Sequence, residues 1–262
     1  MLSGKSILIT GSNRGIGFEL SRMILHQEGK LLMACRDMRA GQEAADALKK
    51  DVRKGDITLK YMDYTRPETL SALVKDVSEE MKQPLDCLVN NGAIIGNGWD
   101  KETYDLTLRT NFKGPLELTT EFAPHMAPGS SIVQVSSGFG ELSYCSEGYR
   151  ERITSAKTLD QLWDQCKEID VSSSMASENK PCYKVSKAML NQSVRIQAPK
   201  LAECGIACNA VTPGWCRTRM GGPEAPRSAA QGAESILWVI LNGSVASGVT
   251  GGFWKDGQPK DW

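Results

Sequence analysis

The chain has 262 residues, with 31 Lys and Arg against 31 Asp and Glu, so its formal net charge is zero. That balance speaks against a nucleic-acid partner, whose phosphates reward a net basic face, and against an acidic solvated tail. With 40% apolar and 24% charged residues, the chain can bury a full core, and about 150 residues per domain allows one large domain or two small ones.

The N-terminal Met1 to Lys5 leads straight into an apolar strand, Ser6 to Thr10, followed by a glycine-rich turn and a helix to about Glu28 that stops at Gly29. A strand at Leu31 to Cys35, a helix at Ala40 to Lys50 and a strand at Ile57 to Met62 come next. Pro67 then opens a helix, as a first-turn proline can, and Leu85 to Asn90 is the fourth strand. Two helices fill about 101 to 127, and Ser131 to Ser136 is the fifth strand. From about Ser143 to Lys180 the rhythm breaks into a polar segment with an amphipathic stripe (Leu159, Leu162, Trp163, Cys166, Ile169) and a serine tail, Ser172 to Ser174. It reads as an insertion. The alternation resumes with a helix from about Tyr183, a strand at Ile206 to Val211, a Pro/Gly-rich loop at 213 to 227, a helix to about Leu241 and a last strand near Val249 to Trp254.

Short strands separated by helices imply parallel pairing, because a parallel neighbour needs a crossover. The expected fold is therefore a doubly wound, Rossmann-type α/β sheet in a single domain over 1–262, with a helical insertion at about 143–180. No leader pattern and no run of the ~18 apolar residues that a membrane span needs are evident, so a cytoplasmic protein without a membrane partner is expected. The eight cysteines read as buried free thiols, and with only His26 and His125 as imidazole ligands no metal site is expected.

The first turn reads Thr10-Gly11-Ser12-Asn13-Arg14-Gly15-Ile16-Gly17. Glycines there let the backbone approach a pyrophosphate, and a helix N-terminus presents free N–H groups to it. At the end of the second strand stands Cys35-Arg36-Asp37. Arg36 together with Arg14 would close on a ribose 2′-phosphate and select NADPH/NADP. In the alternative, Arg36 is a solvated charge and Asp37 accepts a 2′-hydroxyl, which selects NAD. Further on, Tyr183 and Lys187 lie four residues apart, hence on one helix face, where an ammonium would lower the phenol pKa from near 10 towards neutrality.

Taken together, the glycine turn, Asn111, Ser137, Tyr183-x-x-x-Lys187 and Pro213-Gly214 resemble the short-chain dehydrogenase/reductase family over essentially the whole chain. Within it, the Arg36 run, the 46 positions from Ser137 to Tyr183 and the loop Pro213-Gly214-Trp215-Cys216-Arg217-Thr218 resemble the monomeric NADPH-dependent carbonyl reductases. The resemblance implies Tyr183 as general acid, Lys187 lowering its pKa and holding the nicotinamide ribose, Ser137 bonding the substrate oxygen, and Asn111 positioning a water. Ser136 is the alternative to Ser137. The resemblance also assigns Gly11, Asn13, Arg14, Gly15, Ile16, Gly17, Arg36, Asp63, Asn90, Pro213, Cys216 and Thr218 to the cofactor.

Trp215 and Met220, with Trp99, Ile94, Ile95 and Tyr144, are candidates for an apolar pocket suited to ketones, aldehydes or quinones. Two departures stand out. The family's Asn-Asn-Ala-Gly is here Asn90-Asn91-Gly92-Ala93, and Pro199 falls late in the Tyr183 helix, which should kink or end there. Family tetramers associate beside the segment that is inserted here, so a monomer is expected. The competing functions are an oxidative alcohol or steroid dehydrogenase and a non-catalytic nucleotide sensor.

Overall fold

The computed structural model describes residues 2–52, 54–80 and 83–262. Its first half contains β1 (Ser6–Thr10), α1 (Gly15–His26), β2 (Lys30–Cys35), α2 (Met38–Asp51), β3 (Ile57–Tyr61), α3 (Pro67–Glu80) and β4 (Leu85–Asn90). Then follow α4 (Lys101–Leu108), a π-turn over Arg109–Lys113, α5 (Gly114–Phe122) and β5 (Met126–Val135). The remainder comprises α6 (Glu147–Ser155), α7 (Leu159–Cys166), α8 (Pro181–Glu203), β6 (Ala207–Val211), α9 (Ala229–Asn242), β7 (Phe253–Lys255) and β8 (Gln258–Pro259). The strands form one sheet in the order β3-β2-β1-β4-β5-β6-β7-β8, parallel throughout except for the final hairpin. β1 pairs with both β2 and β4, so the strand order reverses there and leaves a crevice at the carboxyl ends of these strands.

Strand side chains alternate between two cores. Ile7 and Ile9 of β1 pack with Leu20 and Ile24 of α1 and Ile236 of α9. Leu8, between them, points to the other face and joins Leu70 of α3, Leu118 of α5 and Val194 of α8. Each such aliphatic side chain contributes about 1.5–3 kcal/mol when fully buried. A third cluster joins α4, α6 and α7 to the outer side of α8 through Tyr104, Tyr149, Leu162, Val185 and Met189. Consequently α8 is covered from both sides, and every residue from Pro181 to Val194 is buried. A helix enclosed in this way holds its polar side chains in fixed positions.

Several expectations need correction. Of a kink or an end at Pro199, the end is excluded, since α8 continues to Glu203. A proline four residues from the end removes one late hydrogen bond, and Val194 and Ala198 remain anchored in the core beside it. The last parallel strand spans only Phe253–Lys255, because Gly248 and Gly251 take left-handed φ of 72° and turn the chain before it. β8 and the π-turn were not foreseen. All eight cysteines are free, but Cys204 is exposed rather than buried. Among the described residues no helix is long and apolar enough to cross a membrane.

Candidate functional site

The glycine-rich turn leaves β1 at the point where the strand order reverses. Gly11 and Gly15 have φ of +63° and +57°, conformations that favour glycine. A Cβ on Gly11 would lie 2.9 Å from the Gly92 Cα, so the turn and the end of β4 touch backbone to backbone. α1 starts at Gly15, with Arg14 as an N-cap residue whose side chain makes no capping bond and with no acidic residue in the first turn. Its leading N–H groups are left for an anion. Asn13 and Gly15 are half-buried in this turn, Gly17 is buried, and Ile16 packs against the core.

Arg14 and Arg36 are both exposed, and neither forms an ion pair among the described residues. Asp37, the alternative partner for a ribose hydroxyl, instead caps α2 by accepting from the Ala40 N–H at 3.0 Å. Asp63, beyond β3, accepts from the Thr65 N–H at 2.9 Å and the Thr65 hydroxyl at 2.8 Å. Two unpaired guanidiniums, an uncapped helix start and a backbone cradle that side chains would fill all suit a dinucleotide carrying a 2′-phosphate.

Farther along the same edge of the sheet, α8 carries Tyr183 and Lys187, 8% and 2% exposed. The Lys187 ammonium donates to the Val135 carbonyl at 2.8 Å, and its Nζ is 5.7 Å from the Tyr183 ring centre. Burial pushes Lys187 down to about 7. Burial also raises the Tyr183 phenol above its ordinary value, against the opposing influence of the neighbouring Ser137 hydroxyl. In the chain alone, burial favours the neutral form of both groups. Ser136 and Ser137 differ in placement. Ser136 is buried and its hydroxyl donates to the Lys187 carbonyl at 3.5 Å, whereas half-buried Ser137 stands beside the phenol.

Asn111 sits in the π-turn and is fully buried. Its amide donates to the Ile94 carbonyl at 2.8 Å and accepts from the Ile94 N–H at 2.9 Å. It also donates to the Ser186 hydroxyl at 3.1 Å, which in turn donates to the Tyr183 carbonyl at 2.8 Å. Asn111 is thus joined to the Tyr183 turn through one serine. Pro115 lacks the N–H that an α-helix would send to the Asn111 carbonyl, which gives the widened turn a local cause.

The loop after β6 closes over the glycine turn. Thr218 approaches Gly15, whose Cβ would lie 3.3 Å from its Cγ2, and the Thr218 hydroxyl donates to the Cys216 carbonyl at 3.4 Å. Pro213 and Cys216 are buried below it, with the thiol donating to the Pro213 carbonyl at 3.3 Å. Trp215 and Met220 are exposed, and the Trp215 indole is oriented by the Gly221 carbonyl at 2.7 Å. Of the other apolar candidates, Ile94 and Ile95 are half-buried and Tyr144 is exposed against Phe139. Trp99 does not join them, since it packs edge-on against Tyr104 and Tyr149 and donates to the Asp170 carbonyl at 3.0 Å, fastening the inserted segment.

Asn90 also departs from its expected place. Its carboxamide accepts from the Tyr64 hydroxyl at 2.8 Å and donates to Thr119 at 3.1 Å, inside the molecule. Asn91 is the residue that reaches the glycine turn, donating to the carbonyls of Thr10 at 2.9 Å and Gly11 at 3.2 Å. Sequence reasoning missed both Asn91 and Tyr64. The doubled asparagine was the available signal, because only one of two successive strand-end side chains can face the turn.

This chain belongs to the short chain dehydrogenase family, whose profile matches residues 5–148, more than half of its length. A second profile, described as enoyl-(acyl carrier protein) reductase, matches residues 168–239. Among individual proteins, carbonyl reductase (NADPH) 1 of Sus scrofa is 32% identical over 274 residues, covering 97% of this chain and 93% of that one. The (+)-neomenthol dehydrogenase of Arabidopsis thaliana is 31% identical over 270 residues, covering 89% and 90%. The solved structure of salutaridine reductase from Papaver somniferum superimposes with a TM-score of 0.84 over 95% of this chain and 99% of that one, and at 24% identity it is a likeness of fold.

Proposed function

We infer that this protein is an NADPH-dependent carbonyl reductase that converts ketones, aldehydes or quinones to their alcohols. The observation that carries the reading is the buried Tyr183 phenol beside the Ser137 hydroxyl, with the Lys187 Nζ 5.7 Å from its ring centre. NADPH, when bound, would supply the hydride for the carbonyl carbon. As negative charge develops on the carbonyl oxygen, Ser137 donates a hydrogen bond to it and Tyr183 delivers its proton, so that the alcohol is released neutral. Lys187, which donates to the Val135 carbonyl at 2.8 Å, would in its protonated form stabilise the phenolate left behind and would bind ribose hydroxyls. Solvent returns the proton to Tyr183. The similarity to NADPH carbonyl reductases supports the reductive direction. The glycine turn with Asn91, Arg14 and Arg36 would hold the phosphates, Asp63 the adenine end, and Pro213, Cys216 and Thr218 the nicotinamide end, while Trp215 and Met220 border the substrate.

NADPH consumption against a panel of quinones, aromatic aldehydes and hydrophobic ketones tests the reading. Turnover with at least one class is expected, and NADPH binding without turnover on any of them would favour the sensor reading instead.

The inserted α6 and α7 support a monomer. α7 lays Trp163 against Phe112 at 6.4 Å between ring centres and under the Lys113 ammonium at 4.2 Å, beside the helices through which family tetramers associate. Sedimentation is expected to give a single species of one chain mass, and a tetramer would overturn the assignment. Eight thiols, none in a disulfide, suit a reducing compartment and support the cytoplasm; recovery of the protein from the secreted fraction would count against it.

A further inference from the structure

Tyr64 is 4% exposed and lies three residues beyond β3, outside the machinery described above. Its hydroxyl is 2.8 Å from Asn90 Oδ1 and 3.0 Å from Thr10 Oγ1. A phenol has one proton, and the amide oxygen can only accept, so that proton goes to Asn90; the Thr10 hydroxyl against it has the phenol oxygen and the Val89 carbonyl, at 3.4 Å, as acceptors for its own. Thr10 Oγ1 in turn accepts the N–H groups of Asn91 and Gly92, each at 2.9 Å. The other end of the residue is also fixed. Its carbonyl accepts from Arg109 Nε at 2.6 Å, and Arg109 is clamped by both Glu117 oxygens, at 2.7 and 2.6 Å.

The ring occupies space that two glycines leave open. A Cβ at Gly114 would lie 2.6 Å from Tyr64 Cδ1, and a Cβ at Gly92 would lie 3.2 Å from Tyr64 Cε2. Gly92 has no left-handed φ to explain it. The ring therefore gives a reason for the order Gly92-Ala93 where the family has alanine first. We propose that Tyr64 is a positioning residue for the nucleotide-binding turn, locking Thr10 to the end of β4, and that glycine stands at position 92 to admit its ring. Gly11 meets Gly92 backbone to backbone, so a shift of the β4 end is passed directly to the cradle for the phosphates.

The inference rests on the reading of this chain as an NADPH-binding protein, and the test separates the two. NADPH dissociation constants are measured by fluorescence titration for the wild type, Tyr64→Phe, Gly92→Ala, Tyr64→Val and the double variant Tyr64→Val/Gly92→Ala, with thermal midpoints recorded for each. Tyr64→Phe keeps the ring and is expected to weaken NADPH binding about tenfold while kcat at saturating NADPH changes less than about twofold. Gly92→Ala is expected to weaken binding similarly when Tyr64 is present and to have little effect on top of Tyr64→Val, because the clash is gone. A wild-type chain that binds NADPH while Tyr64→Phe binds it equally well, with only the thermal midpoint lowered, overturns the positioning role. A Gly92→Ala penalty of the same size in both backgrounds overturns the account of the glycine. A wild-type chain that binds no NADPH overturns the functional reading and this inference with it.

Discussion

Tyr183→Phe is expected to lower kcat for carbonyl reduction by about a thousandfold, within the range that a positioned general acid supplies, while the dissociation constant for NADPH stays within about twofold of wild type. The substitution removes one hydroxyl and keeps the ring that fills the space beside Ser137, so neither α8 nor its two packed faces lose volume. What is lost is the proton for the developing oxyanion. Ser137 remains to donate a hydrogen bond to it, which is why some rate above the uncatalysed background survives. Steady-state kinetics with a reducible quinone, paired with an NADPH titration, separates the outcomes. A variant that turns over at the wild-type rate would mean that the proton comes from elsewhere and would remove Tyr183 from the mechanism. A variant that also fails to bind NADPH would mean that the phenol acts by holding the cofactor.

Much of the fold was legible because parallel strands buried on both faces read as short apolar runs, and α/β crossovers set their spacing. Ser6–Thr10 and Leu85–Asn90 have the same bounds in sequence and structure for that reason. The misreadings share another cause. The π-turn at Arg109–Lys113 differs from an α-helix by one residue in hydrogen-bond offset, a property that apolar periodicity does not encode. Tyr64 is brought to Asn90 and Thr10 across 26 and 54 positions of chain, and nothing local in Met62-Asp63-Tyr64 announces the partners. The motif Tyr183-x-x-x-Lys187 shows two groups on one helix face, but the direction of their pKa shifts depends on how completely α8 is enclosed, which tertiary packing alone decides. Trp99 misled for a related reason. An aromatic side chain near the open edge of a sheet fits either a pocket or a core, and of its partners Tyr104 comes before the insertion and Tyr149 from within it.

Arg36→Ala is expected to raise the KM for NADPH about thirtyfold, and Arg14→Ala/Arg36→Ala by up to about a thousandfold, with the KM for NADH nearly unchanged in both. Each charge-assisted contact to a phosphate is worth roughly 1.5–3 kcal/mol, equivalent to about ten- to a hundredfold in affinity. The geometry supports an additive pair. Arg36 follows the last residue of β2, Arg14 precedes the first residue of α1, and the two segments are tied by the Gly11 N–H to the Ala34 carbonyl at 2.8 Å. Both guanidiniums are exposed and unpaired among the described residues, so no rearrangement of an existing ion pair offsets their contact with the phosphate. Because the contact faces solvent, the NADPH preference should also shrink as ionic strength rises and the Debye length falls from about 10 Å to about 3 Å. Asp37 makes the discrimination sharper. With one carboxylate oxygen engaged in capping α2, Asp37 has only the other to offer a ribose hydroxyl, so NADH is expected to gain little when the arginines are removed. A parallel rise in both Michaelis constants would place the arginines on the pyrophosphate that the two cofactors share, and an unchanged NADPH constant would return Arg36 to the status of a solvated charge.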